Sequence, residues 1–367
     1  MKRWNVLFNL AVGCLVLCLG CTQRPTMLPP DRTPLESGFI DTHNHLLGQY
    51  GSHPGMRQSD FEGAAWVALE AMKRLGVKKM FIMPPPFSPG HPGRYTFEDL
   101  APIVKKYPGQ FAFLGGGGTL NVMIQETMQT GVTTQRIRDR FESKALEILS
   151  KGSIGFGELT AEHFSLGTDH PYESAPPDYP LFLLLSDIAA RHRVPVDIHM
   201  EAIPRDMPLP EARRLQSPQN PRTLRANMAA FERLLAHNRN AKIIWAHAGW
   251  CNTGCRTASL CAGLFERHPN LYMSFKTKPD SMVETRPYTE DRRIKPDWLN
   301  LISNYPERFL IGNDHFYTTP RSTAQIGPPR GEGKGAERIL DFLPPEIAHK
   351  IGFENAVNIF RLETRGP

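Results

Sequence analysis

The sequence has few of the features that mark membrane-spanning or nucleic-acid-binding proteins. After the first twenty residues, no apolar stretch is long enough to cross a bilayer. The net charge is +6 in 367 residues, and no dense run of lysine and arginine suits a polyanion. With 40% hydrophobic and 22% charged residues, the composition is that of a globular domain with its own core.

Cysteine is scarce as well, with six residues in two groups. Three lie within the first 21 residues, and the others are Cys251, Cys255 and Cys261. A Cys-x3-Cys pair can bind metal, but no second pair completes a zinc site. We therefore favour a structural role for this group, and whether two of the three thiols form a disulfide in an oxidising compartment is left open.

The N-terminus has the pattern of an export signal. Lys2 and Arg3 form a short positive region, an apolar run covers residues 6–19, and a small residue and Cys21 follow. This resembles a bacterial lipoprotein signal, in which the cysteine after the cleavage site becomes lipid-modified. We predict a signal peptide over 1–20 and lipidation at Cys21, which would anchor the protein to a membrane facing the periplasm or the cell exterior.

One position departs from the lipoprotein pattern, because Cys18 stands where leucine is usual. Cys14 and Cys18 are therefore competing sites, and simple secretion with cleavage near Gly20 is the alternative. The proline-rich residues 21–37 would form an extended tether. The folded domain would then occupy residues 38–367.

Short apolar runs recur along the rest of the chain, about one βα unit apart. Their residues are nearly all apolar, as expected for strands covered on both faces. Eight parallel strands alternating with helices predict a closed (β/α)8 TIM barrel. The predicted strands are 38–42, 79–83, 111–114, 153–158, 194–199, 242–247, 271–275 and 308–312. The predicted helices are 61–75, 136–149, 179–190, 224–236 and 257–267.

A doubly wound open sheet is the rival architecture. It usually has a glycine-rich turn after the first strand, whereas Thr-His-Asn-His fills residues 42–45. Long loops rich in proline and glycine follow several strands, on the face where a barrel builds its active site. Those loops are 49–60, 84–95, 160–177, 201–221, 277–295 and 316–333.

Metal-ligand residues stand at the carboxyl ends of these strands. His43 and His45 end the first strand, and a side-chain period of two turns both rings to one side. His199, His247 and Asp314 end strands five, six and eight. Buried imidazoles without partners are costly, and a shared cation best relieves the cost of four that converge. The sequence therefore predicts a metal centre.

This set resembles the pattern of the amidohydrolase superfamily, with His-x-His on strand one, single histidines on strands five and six, and aspartate on strand eight. The segments 39–45 and 354–360 resemble its amidohydrolase-related (amidohydrolase 2) branch. The resemblance covers residues 38–362. It implies a metal-dependent hydrolase that cleaves an amide, ester, lactone or related bond of a small molecule.

The resemblance also implies individual roles. His43, His45 and Asp314 would bind one metal, and His199 and His247 would bind on the other side. Asp314 would act as general base toward the nucleophilic water and pass the proton to the leaving group. His247 would be catalytic in a one-metal enzyme.

The number of metals depends on strand four, where two-metal members carry a bridging carboxylate. Glu158 stands at that place, which favours two ions over one. The alternative is a glutamate that hydrogen-bonds a loop or a histidine. Asp41 and Asp197, each two residues before a ligand, would support the site from deeper in the barrel. Mixed histidine and carboxylate ligation suits zinc, with manganese or iron as alternatives.

Residues in the long loops are candidates for substrate contact. Lys276 follows strand seven and would meet an anionic group of the substrate, or it is simply a solvated lysine. Arg205 after strand five and His163 after strand four are weaker candidates of the same kind. Trp250 and His315 are candidates for the pocket wall only.

Three functions fit these observations. The first is hydrolysis of a small molecule, and the second is decarboxylation by a one-metal member of the same superfamily. The third is a non-catalytic binding lipoprotein on a degenerate barrel. In each case the sequence predicts no nucleic-acid partner, and contact with a membrane through the N-terminal lipid only.

Overall fold

The computed structural model describes residues 38–51, 58–167, 170–278, 281–291, 293–322 and 335–363. The predicted signal peptide, the tether and Cys21 lie outside these residues. Among the helices described, none is long and apolar enough to cross a membrane.

Eight parallel strands close into a barrel, which confirms the predicted (β/α)8 fold. Each strand pairs with the next along the chain, and the first pairs with the eighth. The third strand is interrupted at Leu114: its first part pairs with the second strand and its last part with the fourth. The strands are β1 Phe39–Leu47, β2 Val77–Ile82, β3 Phe111–Phe113 with Gly115–Gly116, β4 Phe156–His163, β5 Pro195–Met200, β6 Lys242–Ala248, β7 Leu271–Phe275 and β8 Phe309–Ile311.

Helices alternate with these strands. They are α1 Phe61–Leu75, α2 Phe97–Lys106, α3 Leu120–Thr130, α4 Gln135–Ser150, α5 Pro180–His192, α6 Glu211–Gln216, α7 Met228–His237, α8 Ala258–Arg267, α9 Pro296–Asn304, α10 Pro345–His349 and α11 Asn355–Phe360. The chain also forms 3-10 turns at Pro306–Arg308 and Ala336–Phe342, and a π-helical turn at Lys350–Glu354.

The helix α1 shows how local sequence sets these elements. Asp60 caps its first turn by accepting from the Gly63 N–H at 2.9 Å. Gly76 ends it in the left-handed conformation, with φ 73°, where glycine costs least. Because β2 begins at the next residue, this cap also fixes the direction in which the chain returns to the barrel.

The predicted helices agree with the structure at most boundaries, and one is wrong at its start. The predicted helix 224–236 begins only at Met228, because Thr223–Leu224 pairs as a short strand with Met207–Pro208. The predicted loop 160–177 is also partly strand, since β4 continues to His163 and pairs there with Glu173–Ser174. Both differences place small hairpins above the carboxyl end of the barrel.

The three described cysteines are free thiols, so no disulfide joins them. The Cys251 sulfur lies 3.2 Å from Thr253 Oγ1, whereas the Cys255 sulfur lies 4.0 Å from Met207 Sδ. Cys261 is buried on α8. The Cys255 sulfur also lies 3.5 Å from the Thr253 carbonyl oxygen, so Cys251 and Cys255 both contact Thr253 without being joined.

The amino end of the barrel is filled by apolar side chains. A separate buried cluster joins Ile40, Ile244 and Leu310 from three strands to the C-terminal helix α11. The rings of Phe81 and Phe360 meet there at 4.7 Å. The polar residues instead lie at the opposite, carboxyl ends of the strands, where (β/α)8 barrels form their active sites.

Candidate metal centre

β1 and β8 bring a first group of ligand atoms together. His45 Nε2 lies 3.1 Å from Asp314 Oδ1, and His43 Nε2 lies 4.0 Å from the same oxygen. All three side chains are buried, and their ligand atoms lie within 4.8 Å of one another. The predicted His-x-His and the predicted aspartate therefore form a potential cation site.

Glu158 on β4 joins this group to the other two histidines. Its Oε2 lies 3.4 Å from the Nε2 atoms of both His43 and His45. Its Oε1 lies 2.9 Å from His199 Nδ1 and 3.1 Å from His247 Nε2. One carboxylate thus stands between two histidine pairs, with one oxygen toward each pair, as a carboxylate that bridges two cations would.

Three of the four histidines hold their remaining ring nitrogen against an oxygen atom. The pairs are His43 Nδ1 with Asp197 Oδ1 at 3.3 Å, His45 Nδ1 with the Met83 carbonyl at 2.9 Å, and His199 Nε2 with Glu201 Oε1 at 3.9 Å. When the outer nitrogen carries the proton, the inner nitrogen presents a lone pair to the centre. These partners therefore orient the rings as metal ligands.

The donor set fits a divalent cation. His43 Nε2 is buried and has no hydrogen-bond partner among the described residues, although oxygens of Glu158 and Asp314 lie within 4.0 Å. A buried polar atom without a partner costs free energy, and a cation shared with these oxygens would remove the cost. Imidazole nitrogens mixed with carboxylate oxygens suit zinc, manganese or iron.

Both carboxylates are held in their charged form. Burial by itself would raise the pKa of Glu158, but the charge of His43 and the hydrogen bonds of the other histidines hold that pKa well below its usual value. Burial likewise opposes ionisation of Asp314, and Lys276 and His45 hold its pKa well below the usual value. The site therefore presents the anions that a cation requires.

The backbone is unusual at two of the predicted ligands. His247 has φ 69° and Asp314 has φ 52°, a left-handed conformation that non-glycine residues seldom adopt. The pairing of β6 with β7 also shifts register between Trp245 and Ala248, around His247. Such conformations persist where the surrounding structure enforces them, and they concentrate at functional sites.

Arg256 supports this irregular end of β6. Its guanidinium is buried, donates to the Trp245 carbonyl at 2.6 Å and also donates to the Ala246 carbonyl. It stacks on the Trp245 ring at 3.8 Å. These carbonyls immediately precede His247, so Arg256 fixes the turn that brings this histidine to Glu158. Residue type and spacing did not indicate this role.

The structure places two of the three predicted substrate residues at the site. Lys276 is buried, pairs with Asp314 Oδ2 and lies 3.8 Å above the Trp250 ring. The ring of His163 lies 4.4 Å from the ring of His199. Arg205 is instead exposed in the loop after β5 and is not part of this cluster.

Glu201 is a site residue that sequence reasoning missed. Besides facing His199, it accepts from the Asn252 N–H at 2.7 Å and from the Asn252 side chain. It thereby ties the loop after β6 to the end of β5. The signal was present, because Glu201 lies two residues after a predicted ligand and so shares its side of the strand.

Comparisons with known proteins found solved structures of low sequence identity. No family model and no curated protein sequence matches the chain. A solved structure from Agrobacterium tumefaciens is 15% identical, with a TM-score of 0.47 over 90% of this chain and 99% of that chain. A 2,6-dihydroxybenzoate decarboxylase from Rhizobium is 13% identical, with a TM-score of 0.44 over 89% and 99%. A dihydroorotase from Campylobacter jejuni is 13% identical, with a TM-score of 0.48 over 90% and 85%.

The outer partner of His43 provides a test of the centre. Replacing Asp197 by asparagine (Asp197→Asn) removes the charge that orients His43, so zinc affinity should fall about 10- to 100-fold. Competition against a chromogenic chelator measures this. Asp187→Asn is the matched control, because Asp187 pairs with His237 at 3.0 Å on the surface. Equal zinc affinity in both variants would contradict the predicted centre.

Proposed function

We propose that this protein is a metal-dependent hydrolase of the amidohydrolase superfamily. It cleaves with water an amide, ester, lactone or related bond of a small molecule. The observation that carries the proposal is Glu158, whose two oxygens face separate histidine pairs while Asp314 joins one of them.

The residues divide between two positions. His43, His45 and Asp314 would hold one cation, and His199 and His247 would hold a second, with Glu158 between them. When bound, a divalent cation lowers the pKa of water toward neutrality and polarises the bond under attack. Zinc is the ion that we propose first, with manganese and iron as alternatives.

Asp314 is the proposed general base. Its Oδ1 lies against His45 and its Oδ2 against Lys276, so the carboxylate is fixed on both oxygens. It is ionised, because the pKa is held well below the usual value despite burial. Asp314 would accept the proton from the nucleophilic water and deliver it to the leaving group. Trp250 supplies a half-buried wall beside the histidines.

Decarboxylation at a one-metal site is the second candidate. Lys276 supports this candidate, because a buried ammonium can bind the carboxylate of such a substrate. The two candidates differ in the number of cations that the protein needs. Glu158 has a ligand role in the first and a hydrogen-bonding role in the second.

Loss of the general base should separate catalysis from folding. Asp314→Asn should keep the fold and most of the metal but lower hydrolysis at least about 100-fold, because proton transfer is removed. Acid release from a panel of amides, esters and lactones measures it. Asp291→Asn, at an exposed ion pair with Arg293, should keep full activity. Full activity in Asp314→Asn would exclude the proposed base.

Metal content should depend on Glu158. Elemental analysis should find about two zinc ions per wild-type chain and one or fewer in Glu158→Gln, because the shared ligand loses its charge. Glu173→Gln is the control: burial raises the pKa of Glu173 to about 8, so a neutral amide resembles its state at pH 7.

Other metal contents would select another function. One zinc in the wild type that survives Glu158→Gln would favour the decarboxylase. A protein without metal, whose melting temperature neither zinc nor manganese raises, would favour the non-catalytic lipoprotein, since a ligand of the native state must stabilise it.

We also propose that the enzyme is exported and held at a membrane by a lipid on Cys21. In the producing bacterium, Cys21→Ser should move the protein from the detergent phase to the aqueous phase of a Triton X-114 extraction, because the acyl chains are lost. Cys14→Ser and Cys18→Ser are the matched controls. If either control shifts the protein and Cys21→Ser does not, the lipidation site is wrong.

A further inference from the structure

Lys276 is the one substrate candidate that the structure buries against the proposed base. It follows β7, and its backbone N–H donates to the Ala248 carbonyl at 2.9 Å, which fixes its position beside β6. Its side chain is 4% exposed. An ammonium group buried to this degree is costly without an anionic partner, and in this structure Asp314 is that partner.

Each oxygen of Asp314 faces different neighbouring side chains. Its Oδ2 contacts the Lys276 ammonium and lies 4.0 Å from the ammonium of Lys278, while its Oδ1 faces His45. If Oδ1 binds a cation, the single charge of this carboxylate is shared between that cation and the Lys276 ammonium. The negative charge beside Lys276 then no longer balances it fully.

Trp250 helps to hold the Lys276 ammonium beside the metal ligands. The Lys276 ammonium lies 3.8 Å above its ring, where the cation is attracted to the aromatic face. The same ring lies 6.0 Å from the rings of His199 and His247, so the lysine and the metal ligands share one wall. A substrate bound against this wall would lie beside the ammonium.

We propose that the substrate carries a carboxylate, and that Lys276 binds it beside the bond to be cleaved. This inference rests on the proposed hydrolase function and deepens it by naming the substrate class. A single buried ammonium matches a monoanion, whereas phosphate dianions are usually held by several backbone N–H groups or by arginine forks. Binding of the carboxylate would also draw Lys276 from Asp314 and free one oxygen of the base.

Another role for Lys276 is simple neutralisation of Asp314. Lys276→Met changes the net charge of the site under either role, so the double variant Lys276→Met/Asp314→Asn, which restores that charge, separates the two. If Lys276 only neutralises Asp314, the preference for the acid returns in the double variant. If Lys276 binds the substrate carboxylate, the preference stays lost.

Half-hydroxamates of malonic, succinic and glutaric acid, each compared with its neutral amide, test this difference. The hydroxamate group binds the metal, and the far end is either a carboxylate or an uncharged group of equal size. Calorimetric titration of the zinc-loaded full chain should show at least about tenfold tighter binding of the acid for one chain length. Lys276→Met should remove that preference and change the affinity of the amide less than about threefold.

Two further variants control the experiment. Lys276→Arg should keep the preference for the acid, because the charge remains, and Lys73→Met at an exposed ion pair with Glu70 should leave both affinities unchanged. If Lys276→Met does not fold, Lys276→Gln takes its place, and circular dichroism with zinc analysis qualifies each variant. The acid and amide comparison on the wild type needs no variant.

The outcomes separate this inference from the proposed function. Equal binding of acid and amide at every length, or a preference that survives Lys276→Met, would overturn the carboxylate proposal and leave the hydrolase intact. Return of the preference in Lys276→Met/Asp314→Asn would also overturn it, in favour of neutralisation. Failure of the protein to retain zinc, or of all hydroxamates to bind, would instead overturn the metal-dependent hydrolase.

Discussion

A buried carboxylate, Glu158, is the constraint on which the rest of the site depends. Removing its charge from water costs several kcal/mol unless opposite charge and hydrogen bonds replace the lost solvation. Two histidine pairs from β1, β5 and β6 supply that replacement at 2.9 to 3.4 Å. The closed barrel brings the ends of these strands to one point. The fold therefore places around Glu158 the histidines that a buried carboxylate needs. Each oxygen of Glu158 faces one histidine pair, and a cation on each side would be held by that pair together with the oxygen.

The histidines around Glu158 in turn need partners for their outer ring nitrogens. Each imidazole that turns one nitrogen inward must place the other nitrogen somewhere, and the partners of three are Asp197, the Met83 carbonyl and Glu201. Glu201 then anchors Asn252 in the loop after β6, and the Thr253 hydroxyl in the same loop donates to the Ala202 carbonyl at 2.6 Å. A loop that would otherwise be mobile is thus tied to the metal ligands. The same loop contains Trp250, whose ring forms part of the wall of the site.

Local sequence was enough to predict the barrel and the residues at its strand ends, because both depend on periodicity within a few residues. The strand period of two places His43 and His45 together, and apolar runs that stop at His199 or His247 mark the ends of strands. The contacts that sequence missed join distant segments through the loops. Arg256 reaches back to carbonyls before His247, and Lys276 meets Asp314 across 38 residues of chain. The spacing of Cys251, Cys255 and Cys261 also could not decide whether they form a disulfide, and in the structure their thiols are free. Helix α2 was missed because Pro102 interrupts its pattern, although Thr96 and Asp99 cap its start.

The charges of the site are arranged with a direction, and this arrangement bears on how a substrate would lie. The end of β7 and β8 carries an ionised aspartate between two ammonium groups. On the β6 side, burial and the nearby Lys276 hold the pKa of His247 well below its usual value, so that imidazole is neutral at pH 7. A neutral imidazole and a charged lysine along one wall of the centre would favour a single orientation for a molecule with one charged end. The reactive bond would then lie between Asp314 and the histidines. A site of this kind would select its substrate by the position of the charged group in the molecule. The surrounding loops would select by how well the rest of the molecule fits.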